Sequence, residues 1–271
     1  MKTLAAVNIG MYEKSDQALN DYWQAIELGL IGILDQRVIE NIIGSTQQKQ
    51  DGIGILVFGS DLGMVGGFNE YLVPKVVAQI GKENRKKIWP VGERIALKLK
   101  ESMPVENIYQ VPESTKGIVE LISRLIVDIV EAKEAGEFSR LVMIYNKPIS
   151  AVAYQSLVHQ LLPIDQDWIS KLRSKSWPTK MIPQLLPNIQ EATRLFFEEY
   201  LFIVMCRACA DSLLSENISR LQAMQRAEKN IDSLLNILYT DYNQARQSSI
   251  TEELFDVIFG YDALKDKNNV R

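Results

Sequence analysis

A chain of 271 residues, 46% of them hydrophobic, carries enough apolar side chains for one large or two modest domains with a real core. Its formal net charge of −4 argues against nonspecific nucleic-acid binding through a basic surface. No apolar run reaches the roughly eighteen residues of a membrane span, and Lys2 is followed by only a short apolar stretch before Asn8, Glu13 and Lys14, which is not a signal-peptide pattern. The expectation is a cytoplasmic or cytoplasm-facing protein.

From residue 1 to 48 the side chains Leu4, Val7, Met11, Ala18, Tyr22, Ile26, Leu30, Ile33 and Leu34 recur at helical steps, and the pattern runs from the first residues with no cap before it. Residues 45–52 are polar and read as a linker. Ile53-Gly54-Ile55-Leu56-Val57-Phe58 predicts a buried strand, 59–67 a glycine-rich turn and 68–80 a helix. Further strands are predicted at 87–91, 107–111 and 140–145, and helices at 93–101 and 114–135, the last capped by Ser114. Strands alternating with helices imply a parallel α/β domain. Residues 149–162 fit either strand or helix. Residues 163–187, with four prolines and two tryptophans, read as a return loop with local packing.

From 188 to 259 there is neither glycine nor proline; Pro183 and Pro187 precede the run and Gly260 follows it. That predicts one or two long helices. Leu214, Leu221, Met224, Ile231, Leu235, Leu238, Tyr242 and Ala245 form a seam of coiled-coil spacing, broken at Asn217 and Glu228. A one-sided stripe needs a partner helix, in a bundle or in a stalk. The N-terminal helix is the natural antiparallel partner. The expected division is therefore 1–48 helix, 49–187 inserted α/β domain with its return loop, and 188–271 long helix.

Chemistry-bearing patterns are sparse. Cys206 and Cys209 form a C-x-x-C, but they lie one helical turn apart in the long run, and the single histidine, His159, is distant in sequence; small core residues are the expected reading. His159 sits in an apolar stretch and reads as structural. The turn carries Gly63, Gly66 and Gly67 as G-x-x-G-G, which is neither a dinucleotide fingerprint nor a phosphate loop with its lysine. It reads as a tight junction that needs small residues. Ser60 and Asp61 lack a G-x-S-x-G context, and the pairs Glu198-Glu199 and Glu252-Glu253 read as solvated helix faces. No catalytic, cofactor-binding or metal residue is assigned.

At this point the motifs resemble a family. Ser60-Asp61-Leu62-Gly63-Met64-Val65-Gly66-Gly67-Phe68-Asn69 resembles the S-D-x-G-x-x-G-G-[LF]-N signature of the gamma subunit of F-type ATP synthases. Ser215-Glu216 with Arg220-Leu221 and Ala223-Met224 is similar to its S-E-x-x-x-R-[ML]-x-A-M. Tyr242-Asn243 with Arg246-Gln247 and Ile250-Thr251-x-Glu253-Leu254 is similar to its Y-N-x-x-R-Q-x-x-I-T-x-E-[IL]. Gln160-Leu161-Leu162-Pro163 resembles a Q-L-L-P of the family.

The resemblance implies an antiparallel coiled coil of the N- and C-terminal helices with an inserted Rossmann-like α/β domain. It implies a non-catalytic central rotor stalk without a cofactor, coupling ion flow to ATP synthesis or hydrolysis. Its implied partners are the alpha and beta subunits of the ring, the epsilon subunit and the ring of c subunits. It implies a peripheral place on the cytoplasmic face of the membrane, touched only through the complex, and no nucleic acid. Arg246, Gln247 and Thr251 match the family's beta-subunit contacts. Residues 1–7 resemble a segment well inside the family's first helix, so roughly twenty-five residues, about seven helical turns, are expected to be missing before it. Residues 2–9 and 200–202 resemble a divergent, alternative branch of the family. The competing readings are a small α/β nucleotide- or metabolite-binding module with helical flanks, and a generic coiled-coil adaptor.

Overall fold

Six consecutive buried residues, Ile53–Phe58, form strand β1 at the centre of a sheet. The computed structural model describes residues 2–34, 52–81, 85–101, 103, 105, 107–175, 177, 181 and 188–269. Strands β1, β2 (Lys86–Val91), β3 (Arg140–Ser150) and β4 (Ala153–Leu162) lie in the order β2-β1-β3-β4. β1 runs parallel to β2 and β3, and β4 runs antiparallel to β3. The sheet is therefore mixed. Residues 149–162 resolve into the end of β3 and a return strand, whose partly exposed side chains mark it as the edge.

Alternation along β1 splits the core in two. Leu56 and Phe58 join Trp89, Leu141 and Met143 on one face, and Ile55 and Val57 join Ile88, Val142 and Ile144 on the other. The second face is covered by helices α2 (Val73–Ile80) and α3 (Glu93–Lys100), through Val76, Ile80, Ile95 and Leu99. The first is covered by helix α4 (Thr115–Glu134), whose Ile118, Ile122, Leu125 and Ile129 repeat at helical steps. Ser114 caps α4, its Oγ accepting from Gly117 N at 3.3 Å. Trp89 and Phe138 meet edge to face at 5.6 Å.

Several boundaries differ from expectation. Residues 68–72 are turns, with Phe68 N donating to Val65 O and Tyr71 N to Gly67 O, both at 3.2 Å; the helix starts only at Val73, with Pro74 in its first turn. The strand expected at 107–111 shrinks to one bridge, Tyr109 with Val91. Its ladder stops there because Val111 N donates to the Asp61 carboxylate instead, and Pro112 has no N–H to give. The return loop holds helix α5 (Gln166–Ser174), where Ile169 and Leu172 pack with Ile31, Trp168 and Trp177. Of the first helix expected to 48 and the linker expected at 45–52, residues 35–51 lie outside the described residues.

Helix α1 (Lys2–Leu34) packs antiparallel to the first part of the long helix α6 (Ile189–Asn269). Pairings fall along one chain as they rise along the other. Tyr12 faces the Cys209 and Glu216 level. The Tyr22 hydroxyl donates to Glu199, Trp23 meets Tyr200 at 5.7 Å, and Gly29 leaves room for the Phe196 ring, whose Cε1 would be 2.1 Å from an added Cβ. α6 is one helix that continues through Gly260, so that glycine is not its terminator.

The chain forms two compact units, Met1–Ala223 and Met224–Arg271. The described residues of the second unit are the remainder of α6. Its described side chains beyond Met224 are exposed, Ile231, Leu235, Leu238 and Tyr242 of the seam among them.

Candidate functional site

The glycine-rich turn is closed on itself. Ser60 and Asn69 are buried; Ser60 N donates to Asn69 Oδ1 at 3.2 Å, and Asn69 Nδ2 donates to Ser60 Oγ at 2.8 Å. The Ser60 hydroxyl in turn donates to Leu62 O at 3.1 Å. Asp61 reaches the next connection: one carboxylate oxygen accepts from Glu93 N at 2.8 Å, the first residue of α3, and the other from Val111 N at 2.7 Å. Its charge thus sits at a helix N-terminus, where a carboxylate is stabilising.

Arg94 N donates to Ser60 O at 3.0 Å, and Gly59 N to Val91 O at 2.8 Å. Gly92 has φ 115°, and a Cβ there would stand 2.7 Å from Ser60 O, so this position demands glycine. Gly66 also has positive φ, Gly63 lies against the Arg94 guanidinium, and Gly67 against the Tyr71 ring. The amides of Gly59 and Ser60 are thus engaged inside the protein, and Asp61 places a negative charge where a phosphate would have to come. The geometry favours a structural lock over a phosphate cradle.

Arg246, Gln247 and Thr251 lie in the second unit, all exposed. Thr251 Oγ1 donates back to Gln247 O at 2.8 Å, a bond within the helix that fixes the threonine rotamer. Phe255 and Phe259, one turn apart, stack at 6.1 Å and are 52% and 66% exposed, too much apolar surface for a helix meant to face water. The Ser60–Asn69 turn belongs to the first unit.

Cys206 and Cys209 are buried in the core beside α1, and burial pushes the Cys206 thiol up to about 12 and Cys209 well above its ordinary value. Such thiols are poor nucleophiles. His159 lies in β4 opposite Met143.

The motif at 215–224 names Ser215, Glu216 and Arg220, but two features there go beyond what the sequence reading assigns. Ser212, Ser215 and Ser219 are buried on α6, and their hydroxyls donate to the carbonyls of Phe58 (3.2 Å), Asn146 (3.1 Å) and Val65. Gln222 Nε2 donates to Val152 O. The signal was present as small polar residues at steps of three and four, but a polar stripe on a helix ordinarily reads as the wet face. The second feature is an ion pair of the buried Glu216 with the half-buried Arg220. Burial pushes the Glu216 carboxyl up to about 7, against the pull of the Arg220 guanidinium and with a smaller push from Asp61.

A family model described as ATP synthase matches residues 1–264. The ATP synthase gamma chain of Lachnoclostridium phytofermentans is 28% identical over 230 residues, covering 80% of this chain and 75% of that one. The gamma chain of Streptococcus sanguinis is 23% identical over 292 residues, covering 98% and 92%. In fold, the chain resembles a chain of the central stalk and c-ring structure of Tetrahymena thermophila mitochondrial ATP synthase, with a TM-score of 0.59 at 20% identity over 84% of this chain and 97% of that one. It also resembles a chain of the Euglena gracilis mitochondrial enzyme, with a TM-score of 0.55 at 17% identity over 96% and 95%. Matched by the family model from end to near end, and by gamma chains over most of its length, this chain belongs to the gamma-subunit family of the F-type ATP synthases, the central stalk of the complex.

Proposed function

We propose that this gamma subunit works as a mechanical rotor without an active site of its own, turning inside a ring of alpha and beta subunits. The observation that carries this reading is the second unit: a helix with exposed apolar residues at coiled-coil spacing, Ile231, Leu235, Leu238 and Tyr242, beside charged and amide side chains. Such a surface is stable in water only when other chains cover it. Different sides of it offer different contacts, and a rotor that presents them in turn shifts each catalytic subunit between states by differential contact. Arg246, Gln247 and Thr251 are its beta-subunit contacts, Arg246 offering a bidentate fork to a carboxylate. The α/β domain engages the epsilon subunit and the c-ring, and the complex stands at the cytoplasmic face of the membrane.

The test uses the complex in membranes from the protein's own cells. Replacing Arg246 and Gln247 together by Ala is expected to lower the ion transport obtained per ATP hydrolysed, with the subunit still assembled. Unchanged coupling would remove these residues from the contact. Absence of the chain from the purified ATPase would sink the rotor reading itself. Saturable micromolar binding of ATP, ADP or NAD by the chain alone would instead revive the nucleotide-binding module.

A further inference from the structure

The four donors on α6, Ser212, Ser215, Ser219 and Gln222, follow steps of three, four and three. At about 100° per residue they fall within an arc of roughly 80°, a single stripe along the helix. Their acceptors come from four separate pieces of the α/β domain: the last residue of β1, the middle of β3, the glycine-rich turn and the β3–β4 connection. Each acceptor is a backbone carbonyl, which cannot swing away as a side chain can.

The acceptors are themselves tied down. Val65 O also receives Phe68 N at 3.2 Å. Asn146, whose carbonyl meets Ser215, donates through Nδ2 to Phe68 O at 3.1 Å and accepts at Oδ1 from the Ser156 hydroxyl at 2.5 Å. The Tyr154 and Ser219 hydroxyls lie 3.2 Å apart.

We infer that this stripe is a clasp that fixes the rotational setting of α6 against the α/β domain and passes turning force between them. The inference rests on the rotor reading and adds the residues that bear the force inside the subunit. Apolar packing is non-directional, so a helix held only by it can roll by trading one contact for another. Hydrogen bonds lose strength steeply as their angle opens, so several of them, offset along the axis onto fixed carbonyls, resist rolling. Buried serine hydroxyls left without their acceptors oppose any alternative setting. The four side chains are positioning residues; none is placed at a nucleotide or at a partner subunit.

The experiment replaces Ser212, Ser215 and Ser219 together by Ala in the full complex, in sealed native vesicles. Two readings are taken: ATP hydrolysis with an ionophore present, and the steady ion gradient reached without it. A clasp predicts unloaded hydrolysis like that of the unaltered complex and a lower steady gradient, because the helix slips only under opposing load. A merely structural role predicts less assembled complex, with an unchanged gradient per assembled complex; that result, or a normal gradient at normal assembly, overturns the clasp while leaving the rotor reading intact. If the triple variant does not assemble, the single variants Ser215→Ala and Gln222→Ala carry the test: a lowered gradient in each supports the clasp, and unchanged gradients in both overturn it. Failure of the unaltered chain to be found in the complex is the separate outcome that removes the rotor reading.

Discussion

The two parts of helix α6 invert the usual relation between polarity and depth. In the first, Asp211, Ser212, Ser215, Glu216, Asn217 and Ser219 are buried, Asn217 being only 4% exposed. In the second, Leu234, Leu238, Tyr239 and Val257 face solvent, Leu238 at 61%. One continuous helix, with apolar residues at similar spacing throughout, holds polar groups inside and apolar groups outside. Spacing selects a face of a helix; it does not say what lies against that face. The polar interior is tolerated because donors find fixed acceptors, as the serines do on backbone carbonyls of the sheet and the glycine-rich turn. The apolar exterior finds no such answer among the described residues, and it is the surface that the proposed rotor role would cover with other chains.

The widest gap between the two parts should appear on truncating a leucine in each. Leu213 is buried in the core cluster that joins α1, α4, α6 and the sheet. Leu213→Ala should cost about 2–5 kcal/mol, the transfer term plus the cavity. Leu235, 45% exposed, should cost less than about 0.5 kcal/mol on truncation in the chain alone. Urea unfolding followed by tryptophan fluorescence reads Leu213, because Trp23, Trp89, Trp168 and Trp177 all belong to the first unit, and helical circular dichroism reads Leu235 in the second. Similar midpoint shifts for the two variants would break the contrast.

A smaller effect, set by pH, should belong to the buried half alone. The Glu216 carboxyl is raised from 4.5 to about 7, chiefly by burial. It is faced by Arg220 on its own helix and Asp61 on the glycine-rich turn, and it acts on Tyr12 of α1 and on Cys209. Between these values the folded chain holds the proton and the unfolded chain does not. Stability from this group is therefore full below about pH 4.5 and is lost as pH rises through 7, by on the order of 3 kcal/mol. Glu216→Gln should flatten that slope in unfolding measured from pH 5 to 8. A slope that persists in Glu216→Gln would assign it to another group.

How legible these regions were follows from what each signal measures. The six-residue apolar run of β1 announces a strand buried on both faces because nothing polar interrupts it. The strand expected at 107–111 had suitable residues, but strand pairing needs free N–H groups, and Asp61, fifty positions away, takes that of Val111. Pro74 did mark a helix start, yet the extended expectation from residue 68 overlooked it; Asn69 turns inward to Ser60 and holds that stretch in turns. Ile169 and Leu172 carried the helical step of α5 inside a stretch whose prolines suggested only loop. The glycine-rich turn was legible as a tight junction, but the double grip of Asp61 was not, because it depends on long-range packing. The serine stripe was hidden by its composition, since serines on a helix look the same in sequence whether they meet water or carbonyls.

Gly260 offers the finest test of the contrast. The prolines before the long run and the glycine after it looked alike as boundaries, but a proline removes an N–H whereas a glycine only loosens the backbone. The helix runs on through Gly260, and a Cβ added there meets nothing within 4 Å. Gly260→Ala should therefore stabilise the local helix by up to about 1 kcal/mol. The gain belongs to the second unit, so tryptophan-detected unfolding of the first should not move. Amide hydrogen exchange around residue 260 should slow by about fivefold for 1 kcal/mol if exchange there proceeds through local opening. The same change at Gly29, where the Phe196 ring occupies the space of the new methyl, should instead destabilise. Opposite signs for one substitution at two helical glycines would show that the surroundings, not the residue, decide its effect; faster exchange in Gly260→Ala would mean that the helix is not continuous there in solution.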